Sequence, residues 1–189
     1  YFQNGNISSE GILKDGKPAA YWKTYYDNGQ IKSEGNRKNF LLDSVWKFYN
    51  NKGYLIDEIN YKENRKDGVS KSFDKLGYLK GISNYSKNVK FGEEKLFYAS
   101  GKLKKINNYI QDKKHGFCYE LDSVGRVVVI SEYVRGFLRS EEKINRFDEE
   151  QKKHGIWKEF HENGKIKWEG DFKHGILNGI VREYNKKGG

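Results

Sequence analysis

Residues 154–179 read HGIWKEFHENGKIKWEGDFKHGILNG, and the pattern of this stretch decides the fold. Trp157 and Phe160 punctuate a first extended segment. Glu162-Asn163-Gly164 follows, and Ile166 to Phe172 form a second extended segment. Asn-Gly supplies the positive φ that a tight hairpin turn needs, so the stretch predicts strand, turn, strand, loop. The rest of the chain is largely this unit again, degraded to different degrees.

Glycines recur at 5, 29, 53, 77, 101, 125, 164 and 188, with steps of 24 except for one step of 39. A single 15-residue insertion restores the period. A fixed period of this size is the mark of a repeat architecture. Two residues after each glycine stands an aliphatic: Ile7, Ile31, Leu55, Leu79, Leu103, Val127 or Ile166. Aromatics recur eight residues after it, at Tyr61, Tyr85, Tyr109, Tyr133 and Phe172. Helical spacing fits none of these rows, whereas strands bounded by turns fit all of them. Tyr1-Phe2-Gln3 resembles the remnant of a protease-recognition tag, but it also keeps the register of Tyr25-Tyr26-Asp27 and is read as repeat.

The expectation is therefore an all-β chain, an extended antiparallel meander of repeated β-hairpins with a 24-residue period, laid out as a single-layer twisted sheet. Residues 1–189 form one domain of about seven repeats, with an insertion at about 137–152. The second connection of each unit reads as a polar loop, such as Asn64 to Gly68 or Asp112 to Gly116. About fifteen short strands exceed the usual width of an open sheet, which predicts a long twisted ribbon.

Composition agrees with thin β-structure. Hydrophobic residues make up 35% of the chain and aromatics 15%. Thirty-six Lys and Arg against 26 Asp and Glu give a net charge of +10, which permits nucleic acid, anionic membrane or acidic protein as partners. Cys118 is alone, so the sequence offers neither a disulfide framework nor a thiolate metal cluster. No apolar run approaches membrane-spanning length. The chain holds no Met, and a removed leader would place it in the cell envelope or outside rather than in the cytoplasm.

The run from Gly155 to Gly164, with Trp157-Lys158-Glu159-Phe160 inside it, and the run Glu169-Gly170-Asp171-Phe172-Lys173-His174-Gly175 resemble MORN repeats, specifically the bacterial MORN repeat variant. The resemblance covers nearly all of the chain outside the insertion. It implies β-hairpin arrays that act as protein-interaction or membrane-proximal modules. Some relatives are antitoxin-like partners of secreted toxins, and several carry leader peptides. The middle repeats depart from the pattern, because the glutamate of the outer repeats (Glu34, Glu58, Glu169) becomes Ile82, Ile106 and Ile130.

Eighteen residues after the glycines lie Lys23, Lys47, Lys71, Lys95, Tyr119, Lys158 and Arg182. A tight turn would set Lys23 near Glu34, Lys47 near Glu58 and Lys158 near Glu169, as cross-strand ion pairs. Lys71 and Lys95 would instead face Ile82 and Ile106, leaving a central positive patch. Trp22, Trp46 and Trp157 share one repeat position, with Trp168 on the strand paired to that of Trp157. They serve either as anchors for a partner or as the sheet's own packing layer. In the insertion, Glu141, Glu142, Ile144, Phe147 and Glu149 form an acidic segment. Ile144 and Phe147 are spaced three apart, as on one face of a short helix. The segment is either a contact loop or a tolerated lengthening.

His115, His154 and His174 lie in repeated Lys-His-Gly loops rather than in a converging cluster, and no metal ligand, catalytic residue or cofactor site is assigned. The reading is a non-enzymatic scaffold for protein–protein interaction, antitoxin- or immunity-like or at the cell surface. The alternative is binding of anionic membrane lipid or glycan through the basic row. Nucleic acid is disfavoured, because no known reading motif is present. Two open sheet edges allow self-association.

Overall fold

In a computed structural model the described residues are 1–187. Every regular element among them is a strand, paired antiparallel with its neighbours. A 13-stranded sheet runs in chain order from Ser9–Lys14 to Phe137–Lys143. A 5-stranded sheet follows, centred on Lys153–Phe160 and Ile166–Lys173. The meander is as the glycine period predicts, but the ribbon is broken once, at the insertion.

The glycine turn is the repeating local cause. Gly29 sits at φ 83°, and its N–H donates to the Tyr26 carbonyl while the Tyr26 N–H donates to the Gln30 carbonyl. The same two bonds close the turns at Gly53, Gly77, Gly101, Gly125 and Gly164. Phe2 and Gly5 make them as well, so the first residues of the chain adopt repeat structure. Each of these hairpins carries a register shift one or two residues before its turn, as between Thr24 and Tyr25 or Phe48 and Tyr49. Such a bulge adds twist.

The second connection is tighter than the expected polar loop. Lys62 pairs with Arg65 and Ser86 with Val89, leaving two-residue turns at Glu63-Asn64 and Lys87-Asn88. All four turn residues have positive φ, the type I′ geometry that matches strand twist. The asparagine carboxamides then clamp the neighbouring hairpin. Asn64 Oδ1 accepts from the Leu42 N–H at 2.6 Å, and Asn88 Oδ1 accepts from the Lys66 N–H at 2.8 Å. Along the other margin, Asn4, Asn28, Asn50 and Asn163 donate to the backbone carbonyl of the next turn at 2.8–3.0 Å. Both margins of the ribbon are thus stitched unit to unit, as a quasi-one-dimensional array requires.

The insertion is not helical. Residues Phe137–Lys143 are a strand paired with Val127–Val134, and Arg146–Phe147 is a short strand paired with Lys153 and His154. The open edge of Val127–Val134 offers a ladder of hydrogen bonds, and this tertiary pairing overrides the helical spacing of Ile144 and Phe147. Between the two strands lie Ile144, with 0% of its surface exposed, and Asn145 at 6%. Asn145 joins the sheets. Its amide group donates to the Val127 carbonyl at 2.8 Å and to the Lys158 carbonyl at 3.0 Å, and its Oδ1 accepts from the Lys158 N–H at 2.7 Å.

Candidate interaction surface

Because side chains alternate across a strand, the register defines two faces. On one face a continuous row of paired positions runs Glu10, Lys23, Glu34, Lys47, Glu58, Lys71, Ile82, Lys95, Ile106, Tyr119, Ile130, Glu142. It resumes in the second sheet as Lys158, Glu169, Arg182. The expected pairs of Lys23 with Glu34, Lys47 with Glu58 and Lys158 with Glu169 are all in register, as are those of Lys71 with Ile82 and Lys95 with Ile106.

The adjacent row, on the opposite face, holds Gly11, Trp22, Gly35, Trp46, Ile59 and Ser70, and then Ser83, Glu94, Asn107, Cys118 and Ser131. Trp46 is 2% exposed and lies flat over Gly35, where a Cβ would come within 2.5 Å of the indole ring. The Trp46 N–H donates to the Asn36 carbonyl at 2.7 Å, and the Arg37 guanidinium stands 5.3 Å from the ring. Trp22 sits opposite Gly11 and Gly35 in the same way. Trp157 packs edge-on to Phe147 at 5.1 Å and against Phe172 at 6.1 Å, and Trp168 is 6.1 Å from Phe172. The tryptophans are therefore the sheet's own packing layer.

In the middle repeats the two faces exchange character. Twenty-four residues beyond Trp46 the tryptophan position holds Ser70, then Glu94, then Cys118. Ser70, Glu94, Asn107, Cys118 and Ser131 are all buried. Glu94 accepts from Lys90 Nζ at 2.6 Å, Asn107 at 2.9 Å and Ser83 at 3.2 Å. Burial pushes the Glu94 pKa up, but these hydrogen bonds outweigh it and hold the carboxyl below its ordinary value. Tyr109, beside it, is pushed up to about 12, first by burial and then by the Glu94 charge. Lys90 Nζ also lies 5.8 Å from the Tyr85 ring and 4.7 Å from the Tyr109 ring, while Lys66 covers Tyr85 at 5.1 Å and Lys114 covers Tyr133 at 5.0 Å. Sequence reasoning missed this lysine–aromatic ladder, although Lys66, Lys90 and Lys114 carry the 24-residue period.

On the lysine face the middle repeats replace glutamate by Ile82, Ile106 and Ile130, with Tyr119 between the last two. Val69, Phe91 and Phe117 are exposed, Val69 and Phe91 on either side of Asn84 in the sheet. The outer repeats remain ionic on this face. Glu34 accepts from the hydroxyls of Tyr21 at 2.7 Å and Tyr49 at 2.6 Å, and Glu169 accepts from Tyr184 at 2.9 Å. Burial raises the pKa of both glutamates, and the tyrosine hydrogen bonds and nearby lysines bring each to a net value below the ordinary one.

The candidate residues fall into three groups. Lys71 is not a free cation, because Glu58, its other cross-strand neighbour, is 2.8 Å away. Lys95 pairs with Glu93 at 2.9 Å, and both are exposed. The expected central positive patch is therefore neutralised in its own strand neighbourhood, and beside these pairs the centre presents the half-buried Ile82, Ile106 and Ile130 and the exposed Val69, Phe91 and Phe117. Glu141 and Glu149 are exposed, Phe147 is 38% exposed beside Trp157, and Ile144 has no exposed surface to offer. Glu142 turns to the second sheet and meets Lys158 Nζ at 2.8 Å.

Two histidines do converge. The rings of His154 and His174 are 5.7 Å apart, and His174 Nδ1 lies 2.9 Å from Asp148 Oδ2. The pairing of adjacent strands brings together Lys-His-Gly segments that lie twenty residues apart in the chain. Among the described residues no group of three or more His, Cys, Asp or Glu is arranged to hold a metal ion.

The MORN repeat variant family matches the chain at residues 20–39, 92–111 and 153–174. Two of these stretches contain the tryptophan-over-glycine strands of the outer repeats, and one contains Glu94 and Asn107. No curated protein matches the chain.

Proposed function

From the three stretches that match the MORN repeat variant and the faces of the sheet, we propose that the chain is a non-enzymatic scaffold that binds a protein partner across the lysine face of its middle repeats. The observation that carries this is the replacement of glutamate by Ile82, Ile106 and Ile130 in a row whose other positions, Tyr119 apart, are ionic. An apolar strip on an open sheet is costly in water unless something covers it, and strips of this kind mark interfaces. An antitoxin- or immunity-like role, or a place at the cell surface, would be one use of such a face. The second reading, anionic lipid or glycan held by the basic row, draws less support, because the lysines of that row already have carboxylates beside them.

The test is capture from native extract and culture supernatant with the intact protein and with Ile106→Glu, eluted at low and high salt and identified by mass spectrometry. A protein retained at high salt and lost with Ile106→Glu is the expected result. Recovery of only lipid or nucleic acid, released by salt, would overturn the reading. Deleting the insertion is a poorer test, since it would remove a paired strand and the Asn145 junction.

A further inference from the structure

At the break between the sheets the apolar row of the lysine face opens into a groove of 510 Å³. Tyr119 and Ile130 line it from the 13-stranded sheet, and Phe160 and Ile166 from the 5-stranded one. Its remaining lining includes Phe117, which is 52% exposed, and the ion pair of Glu142 with Lys158. Lys165 and Lys187 also line it, and among the described residues neither has a carboxylate at ion-pair distance. Lys165 Nζ donates to the Lys187 carbonyl at 2.7 Å. Lys158 is answered twice, by Glu142 and by Glu169 at 3.4 Å. The groove is thus apolar inside and carries two cations that no carboxylate among the described residues answers.

The row leading into it continues the apolar lining. Its one charged position between Lys71 and Glu142 is Lys95, flanked by Ile82 and Ile106 and answered by Glu93 at 2.9 Å. From Ile106 through Tyr119 to Ile130 the row crosses two strand spacings, about 10 Å, which is the reach of about three extended residues.

Resting on the function proposed above, we infer that the partner contributes an extended acidic segment. A bulky apolar side chain of this segment fills the groove between the sheets, its carboxylates answer Lys165 and Lys187, and its apolar end lies along Ile130, Tyr119 and Ile106. Charge complementarity selects this occupant. A second copy of the chain would set the same lysines against each other in a two-fold contact around the groove, and a flat lipid surface would leave the groove unfilled.

A random dodecapeptide library displayed on phage, panned against the intact protein with depletion on Ile130→Glu, tests this directly. Enriched peptides are expected to carry Asp or Glu beside a large apolar residue. A fluorescein-labelled copy of the leading peptide is then titrated by anisotropy. Ile130→Glu is expected to weaken it at least tenfold, and Lys165→Glu, which leaves the sheet ladders untouched, about fivefold. Val124→Glu, at an exposed turn away from the groove, is expected to leave it unchanged.

Enrichment of basic or neutral peptides would overturn the inference, as would no enrichment at all, or binding indifferent to both groove variants. A dimer in sedimentation velocity that Ile130→Glu dissolves would assign the groove to a second copy instead and overturn it too. Loss of the captured partner with Ile106→Glu but not with Ile130→Glu or Lys165→Glu would remove the groove while leaving the proposed function standing.

Discussion

The outer and middle repeats share a backbone and exchange their faces. In the outer units the tryptophan side is apolar, with Trp46 lying over Gly35, while the opposite side alternates Lys and Glu. In the middle units the tryptophan side becomes a buried polar stripe around Glu94 and Asn107, and the opposite side becomes isoleucine. A single-layer sheet has no deep core, so each unit needs only one well-packed side and one that tolerates water. The tryptophan side is the packed one throughout, from Trp46 and Ile59 to Asn107, Cys118 and Ser131, and only the polarity of what fills each side is set locally, by dipeptides. Trp-Lys paired with Glu-Gly gives one polarity, and Glu-Lys paired with Ile-Asn gives the other. The hydrogen-bonded ladder, not the chemistry of either face, is what the repeats have in common.

The sharpest way to break this comparison is Trp46→Ala. It removes the most completely packed indole of the outer repeats, at a cost of about 3–5 kcal/mol in chemical denaturation. A loss below about 1 kcal/mol would mean that the outer repeats do not depend on the indole.

Glu94→Gln probes the middle repeats in the same assay. It leaves Lys90, at 18% side-chain exposure, without its carboxylate, and the expected loss is about 1–3 kcal/mol. The effect carries a pH signature. The folded-state pKa of Glu94 lies below the ordinary 4.5, so its contribution is fully present above that value and is lost as pH falls through the folded pKa. Glu34 and Glu169 add to the same acid slope. Urea midpoints between pH 3 and pH 6 are expected to fall less steeply for Glu94→Gln than for the parent, and equal slopes would sink the assignment. The smallest effect is expected for Lys71→Ser, below about 1 kcal/mol, because its partner Glu58 and the lysine itself are both partly in water. Raising the salt concentration is expected to shrink even that.

Much of the meander was legible because a tight turn of fixed length fixes register. Once Gly29 is a turn, Lys23 must face Glu34. Half of the polarity exchange was legible too, in Ile82, Ile106 and Ile130. The other half was not, since Ser70, Glu94 and Cys118 share no chemistry that would group them until the register sets them in one row. The two-residue turns at Asn64 and Asn88 were hidden because non-glycine residues take the positive φ there. The nearby Gly68 instead lies in a strand, opposite Tyr85. The strand at 137–143 was obscured by local spacing that a distant edge overrides. The groove was beyond reach, because its two walls meet only where the period fails.

That failure of period also bears on how the array comes apart. In a linear array, cooperativity extends only as far as neighbours are strongly coupled. Elsewhere each hairpin passes its ladder to the next, but across residues 144–146 there is no ladder, and the sheets meet through the Asn145 carboxamide, the backbone N–H groups of Ile144 and Asn145, the Glu142–Lys158 pair and the Arg126 guanidinium over Phe147 and Trp157. Asn145 holds this post at φ 53°, a conformation that asparagine tolerates and alanine resists. The molecule is therefore expected to melt as two units with a domain wall between them. Asn145→Ala is expected to separate a single calorimetric transition into two, and hydrogen exchange would place the first to open in residues 146–187.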